Sequence, residues 1–217
     1  MDGLLVDSER MERRVWQGAA HEHGFDMSDD RFASFVGHPA DECERLLIAY
    51  YGETFDVTAF RATCHRRMRA IVDAEGVPLR PGAREWIDFV AALGIPLGVA
   101  TSSAPALVRV RLGDLVSAFA SVVTRADVAR GKPHPDLYLE SAARLGVSAE
   151  ACLALEDSPA GARAALAAGM PVVVVPDLVP MPPNVAALVA GVFHSLDEVR
   201  AAAAEAWGSA PARPTPT

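Results

Sequence analysis

Lysine is almost absent from this chain. Of the 20 basic residues, 19 are arginines and only Lys132 is a lysine. Arginine supplies positive charge wherever charge alone matters, so a single lysine indicates a position that needs a compact ammonium group rather than a planar guanidinium. A lysine placed on the surface by chance is the alternative for this residue.

The sequence also lacks long apolar runs, basic clusters and a cysteine pattern. No apolar stretch reaches the roughly 18 residues that a membrane-spanning helix needs, and the acidic N-terminus does not resemble a signal peptide. The formal net charge of -8 argues against a nucleic acid or an anionic membrane as the partner. Three cysteines, at 43, 64 and 152, show no metal-site spacing, which is typical of reduced thiols in a cytoplasmic protein.

Apolar residues make up 51% of the chain, and their pattern changes along it. Residues 9–78 carry apolar and charged residues at helical spacing, whereas residues 79–207 alternate helices with short apolar runs. The alternation predicts an α/β fold, a Rossmann-like parallel sheet with helices on both faces, formed by residues 1–8 and 79–207. We expect residues 9–78 to form an inserted helical cap and the proline-rich residues 208–217 to form a flexible tail.

Polar side chains follow the ends of three apolar runs. IPLGVATSS ends in three hydroxyls at residues 101–103, CLALEDS delivers Glu156 and Asp157, and the VVVVP run ends at Pro176 and Asp177. The carboxyl ends of parallel strands form the ligand-binding edge of such a sheet, so these groups are expected to converge there with Lys132. Hydroxyls and backbone N–H groups at a helix start suit phosphate, and carboxylates suit Mg²⁺. Helix capping is the alternative for the hydroxyls and for Asp157, but the full set describes phosphoryl transfer.

Four segments, in this order, resemble the motifs of the haloacid dehalogenase (HAD) superfamily: MDGLLVDSE, GVATSS, GKPHPD and ALEDSPAG. The resemblance covers nearly the whole chain and is strongest in the branch similar to β-phosphoglucomutase and small sugar phosphatases. Residues 9–78 match the cap domain of that branch. The resemblance implies a Mg²⁺-dependent hydrolase that acts on a small phosphorylated metabolite as a monomer or weak dimer.

The resemblance also assigns roles to individual residues. Asp2 would protonate the leaving group and then activate water, Thr101 would bind the phosphoryl oxygens, and Lys132 would offset negative charge. The phosphate would also be contacted by Gly3, Ser102 and Ser103. The metal would be bound by Asp157, Glu156 and Asp2.

One residue of the first motif has no counterpart in the chain. The family motif reads Asp-x-Asp-Gly, and Asp2 and Gly3 match its second half, with Met1 in the x position. The first Asp, which attacks the phosphoryl group and carries it as an aspartyl phosphate, would stand immediately before Met1, at the end of a central strand. We expect the natural protein to carry that strand and that Asp, and the chain without them to be inactive and to fold poorly. A genuine loss of catalysis is the alternative.

Other activities within the resemblance are less favoured. Phosphonate-cleaving members use a cap lysine, which residues 9–78 lack, and dehalogenating members lack the second Asp, which is present as Asp2. The phosphomutases carry a cap arginine and a cap histidine where this sequence has Gly37-His38-Pro39 and Glu12. We therefore expect a phosphatase. The alternatives are a β-phosphoglucomutase-like mutase, a non-catalytic binder of a phosphorylated metabolite and, least favoured, a receiver-like signalling domain.

Overall fold

A computed structural model describes residues 1–36 and 40–208 of the chain. The cap positions Gly37-His38-Pro39 and, apart from Gly208, the expected tail therefore lie outside the described residues. The chain divides into two compact units, one of Met1–Val6 with Leu79–Thr217 and one of Asp7–Pro78. None of the described helices is both long and apolar enough to cross a membrane.

The unit of residues 7–78 is helical. Its first helix repeats apolar residues at helical spacing and buries Met11, Val15 and Ala19 on one face. Its last helix begins after Asp56, whose side chain accepts a hydrogen bond of 2.9 Å from the amide of Ala59. Its described residues form the helices α1 (Ser8–Glu22), α2 (Asp29–Ala33), α3 (Ala40–Tyr51) and α4 (Val57–Glu75).

Aromatic rings fill the centre of this helical unit. Phe60 is only 1% exposed, and its ring centroid lies 5.6 Å from that of Trp16 and 5.3 Å from that of Phe55. Edge-to-face ring pairs add to the free energy that burial of their apolar area contributes. The packing of α1 against α4 therefore depends strongly on this aromatic cluster.

The second unit alternates short strands with helices, as predicted. Its helices are α5 (Ala83–Ala92), α6 (Pro105–Leu112), α7 (Asp136–Leu145), α8 (Pro159–Ala167), α9 (Pro183–Ala186) and α10 (Leu196–Gly208). Its strands are β1 (Gly98–Ala100), β2 (Ser121–Val123), β3 (Ala154–Glu156), β4 (Val172–Val174) and β5 (Gly191–Val192). All strand pairs are parallel, which confirms the predicted α/β class.

The strands form two sheets rather than one within the described part of the chain. β1 pairs with β2, and β3, β4 and β5 pair in that order. Helix α7 packs on β1 and β2, whereas α8 packs on β3 and β4. No described strand joins β1 to β3, and the central strand expected before Met1, between these two, stays a prediction.

A side chain covers the outer edge of β2. Arg144, near the end of α7, donates a hydrogen bond of 2.9 Å to the carbonyl of Val122. The same guanidinium also donates to Asp127 at 2.9 Å and to Glu140 at 2.7 Å. A backbone acceptor that no described strand uses is thus satisfied by α7.

The aromatic cluster leads to a stability prediction. Phe60→Ala should lower the free energy of unfolding by about 3–5 kcal/mol, because it removes a fully buried ring and leaves a cavity. Ile48→Ala, at a position that is 37% exposed in the same unit, should change it by less than about 1 kcal/mol. Urea denaturation followed by circular dichroism measures both. Equal losses in the two variants would contradict the assigned role of Phe60.

Candidate active site

The end of β1 presents the predicted hydroxyls. The amide of Thr101 donates to the carbonyl of Val123 at 2.9 Å, which extends the pairing of β1 with β2 by one residue and buries Thr101. The Thr101 hydroxyl then accepts a hydrogen bond of 3.1 Å from the amide of Ser103. Ser102 is exposed on the same loop. Helix α6 starts at Pro105, two residues after Ser103, so the loop joins a strand end to a helix start.

Asp2 lies against this loop. Its Oδ2 accepts a hydrogen bond of 2.8 Å from the Ser103 hydroxyl and one of 3.5 Å from the Thr101 hydroxyl, and its Oδ1 pairs with the guanidinium of Arg111. Burial opposes ionisation of the carboxyl, but Arg111 and the Ser103 hydroxyl outweigh it, and the pKa of Asp2 is lowered. Three donors therefore hold Asp2 as a carboxylate.

The single lysine makes a buried ion pair. Lys132 pairs with the carboxylate of Glu156, the last residue of β3, which also accepts a hydrogen bond from the Tyr138 hydroxyl. Burial would raise the pKa of Glu156, but the Lys132 charge reverses this effect and lowers it. Burial raises the pKa of Tyr138 well above its ordinary value, so that the phenol stays a hydrogen-bond donor. Lys132 is thus a buried group and not a chance surface residue.

Asp157 and Asp177 both face the backbone of Gly3. A Cβ on Gly3 would lie 2.3 Å from Asp157 Oδ2 and 3.4 Å from Asp177 Oδ2, and Gly3 adopts a positive φ of 68° that favours glycine. Burial and the neighbouring Glu156 charge raise the pKa of Asp157. Asp177 also pairs with Arg80 at 2.6 Å. Carboxyl groups therefore cluster on the Asp157 side of the site.

The donor set suits a hard cation. Within residues 1–36 and 40–208, no three His, Cys, Asp or Glu side chains are arranged as a ready-made metal site. The two carboxylates around Gly3 are nevertheless the oxygen ligands that Mg²⁺ prefers, and the raised pKa of Asp157 indicates negative charge that a cation would offset. The residues present therefore fit Mg²⁺.

The structure brings most of the sequence-predicted residues into direct contact. Asp2 touches the hydroxyls that follow β1, Gly3 adjoins Asp157, and Lys132 binds Glu156. Three further residues of this region were not predicted from the sequence: Arg80, Arg111 and Tyr138. Asp177 was expected at the same sheet edge, because it follows an apolar strand, but no role was predicted for it.

The comparison with known families agrees with this geometry. The model of the haloacid dehalogenase-like hydrolases matches residues 1–169. The chain belongs to that family. The predicted family and enzyme class, a HAD hydrolase with an α/β fold, are thereby confirmed.

Curated and solved relatives lie within the same family. This HAD hydrolase is 36% identical over 194 residues to the plasmid protein CbbY of Cupriavidus necator, covering 81% of this chain and 76% of the relative. It is 33% identical over 178 residues to hexitol phosphatase A of Escherichia coli, covering 81% and 80%. A solved HAD family hydrolase from Deinococcus radiodurans R1, with bound phosphate and sodium, matches with a TM-score of 0.80 and 31% identity, covering 95% of this chain and 93% of that one.

The buried ion pair leads to a second stability prediction. A Cβ on Gly161, in the first turn of α8, would lie 2.0 Å from Glu156 Oε2. Gly161→Ala should therefore push the Glu156 carboxylate away from Lys132 and Tyr138 and lower the free energy of unfolding by about 1–3 kcal/mol.

The matched control for this variant is Gly208→Ala. No atom of the described residues lies within 4 Å of a Cβ built on Gly208, the last residue of α10, so this change should leave stability unaltered or slightly raised. Urea denaturation compares the two variants. A Gly161→Ala protein as stable as the unmodified chain would show that the Glu156 carboxylate is not held where the structure places it.

Proposed function

We propose that this HAD hydrolase is a Mg²⁺-dependent phosphatase of a small phosphorylated metabolite. The observation that carries the proposal is the position of Asp2 and Gly3 between two strand ends. Asp2 contacts Thr101 and Ser103 after β1, and Gly3 adjoins Asp157 after β3. A proton-transfer group, phosphate-binding hydroxyls and an acidic cation site thus lie next to one another.

The proposal includes a carboxylate nucleophile from the residue directly before Met1. The family resemblance places an Asp there, at the end of a strand between β1 and β3. The pairing in the described residues agrees with such a strand, because β1 and β3 each use only one edge. A residue in that position would adjoin Asp2 and both strand ends.

Each residue has a defined part in the proposed reaction. Asp2 is a carboxylate in the free site, so it must take up a proton from solvent when substrate binds. The nucleophilic carboxylate attacks phosphorus, the bond from phosphorus to the leaving oxygen breaks, and Asp2 gives that oxygen the proton. Asp2 then takes a proton from water, whose oxygen attacks phosphorus and releases inorganic phosphate from the aspartyl phosphate. Thr101, Ser102 and Ser103 offer donors to the phosphoryl oxygens, and Lys132 offsets their charge.

Mg²⁺ would be held by Asp157 and Asp2, and when bound it would neutralise charge on the phosphoryl oxygens. Asp177 faces the same backbone as Asp157 and adds a further carboxylate nearby. The Glu156 carboxylate is engaged by Lys132 and Tyr138, and its contact with the metal stays a prediction.

The proposed substrate class is a sugar phosphate or a similar metabolite. Hexitol phosphatase A and the phosphorylated carbohydrates phosphatase of Thermotoga maritima, 31% identical over 172 residues, are relatives with such names. A β-phosphoglucomutase-like transfer within one substrate is the alternative, and an assay that follows released phosphate separates the two. The cytoplasmic location and the monomeric or weakly dimeric state stay predictions.

Hydrolysis of p-nitrophenyl phosphate by an extended chain tests the proposal. The extension adds the residues encoded upstream of Met1, and the expected result is Mg²⁺-dependent release of nitrophenol by the extended chain alone. The matched control carries Asn in place of the Asp before Met1 and should be inactive. An in-frame stop codon immediately upstream would refute the proposed nucleophile, and activity in the Asn control would refute its role.

The lone lysine gives a further prediction in the extended chain. Lys132→Arg keeps the positive charge but replaces a compact ammonium group with a larger, planar guanidinium group. The kcat should therefore fall at least about tenfold while folding is retained. Arg130→Lys, on an exposed side chain two residues away, is the control and should keep full activity. Comparable kcat values for the two variants would argue that Lys132 serves only to balance Glu156.

A further inference from the structure

Arg111 is a largely buried cation that has no part in the proposed reaction. Its side chain is 11% exposed and lies in the last turn of α6, six residues after Pro105, or about 9 Å along the helix axis. Long side chains on a helix point back towards its N-terminus. The guanidinium accordingly reaches the loop that follows β1, where it pairs with Asp2 and lies 3.4 Å from the Ser103 hydroxyl.

The donors around Asp2 form an anion pocket. The Arg111 guanidinium and the Ser103 and Thr101 hydroxyls all point at the same carboxylate. Two of these donors are the hydroxyls proposed to bind phosphoryl oxygens. A carboxylate and a phosphate oxygen make the same kind of charge-assisted hydrogen bond, and the guanidinium fork matches both.

The two other largely buried cations of this region already have enclosed partners. Lys132 pairs with Glu156, whose side chain is 4% exposed, and Arg80 pairs with Asp177, whose side chain is 6% exposed. Asp2 is less enclosed, with 25% of its side chain exposed, so its pair with Arg111 can open towards solvent more readily than the Lys132 pair. The geometry therefore favours Arg111 over Lys132 as the cation that can change partners.

We propose that Arg111 binds the phosphate of the substrate, and that the Asp2 carboxylate occupies this anion pocket until phosphate enters. The inference rests on the proposed phosphatase function and adds to it a phosphate-binding residue from α6. Asp2 then competes with phosphate for the pocket, so substitution of Asp2 and substitution of Arg111 should change the phosphate affinity in opposite directions. If the ion pair were purely structural, the two substitutions would not have opposite effects on phosphate affinity.

Titration of the chain with inorganic phosphate at pH 7 in EDTA, followed by calorimetry, tests the proposal without any need for activity. Arg111→Gln should weaken binding roughly tenfold, because it removes a charge-assisted contact. Asp2→Asn should tighten binding severalfold, because it removes the competing negative charge. Arg109→Gln is the matched control: Arg109 is exposed on the same helix, and residues two apart face different directions, so the Kd should stay within about twofold.

A double variant controls for misfolding caused by an unpaired charge. Arg111→Gln alone leaves the Asp2 charge without this partner, whereas Asp2→Asn with Arg111→Gln removes both charges together. Melting curves check that each variant folds. The double variant should bind phosphate at least about tenfold more weakly than Asp2→Asn alone.

The outcomes separate this inference from the proposed function. Equal phosphate affinity in Asp2→Asn and in the double variant would overturn the role of Arg111 while leaving the phosphatase proposal intact. Weaker binding in Asp2→Asn than in the unmodified chain would overturn the competition between Asp2 and phosphate. Absence of phosphate binding in every variant, together with an inactive extended chain, would overturn the phosphatase function itself.

Discussion

The arrangement of the site depends on the buried ion pair between Lys132 and Glu156. Removing one partner of such a pair leaves an uncompensated buried charge, which typically costs several kcal/mol, so the two side chains hold each other in place. Glu156 is the last residue of β3, and Tyr138 from α7 also donates to it. The pair thereby links the loop before α7 to a strand end. Its position fixes the next residue, Asp157, and the Glu156 charge contributes to the raised pKa of that carboxyl.

Much of this could be predicted from the sequence, for a physical reason. Parallel strands deliver the residues that follow them to one edge, so polar groups after apolar runs are expected to lie close together even when they are far apart in the chain. This argument located Thr101 and Asp157, and the scarcity of lysine marked Lys132. The alternation of strands and helices likewise predicted the α/β class, since few other fold classes contain a series of short apolar strands separated by helices.

The remainder depends on information that a linear pattern does not contain. Arg111 and Tyr138 lie on helices among other polar and apolar residues, and only the rotation of each helix against its strands turns them towards the site. Asp177 was visible as a polar residue after a strand, but its contact with Gly3 depends on a backbone turn that only glycine adopts readily.

The cover on the outer edge of β2 has a consequence for how copies of this protein meet. An exposed strand edge offers free carbonyl groups to a strand from another molecule and so promotes aggregation. Here the Arg144 guanidinium donates a hydrogen bond to the Val122 carbonyl and places a positive charge at the edge of the sheet. An incoming strand would have to displace that hydrogen bond and desolvate the charge. The formation of intermolecular sheets through β2 is therefore disfavoured. Even at high protein concentration, copies of the protein should not associate through this edge.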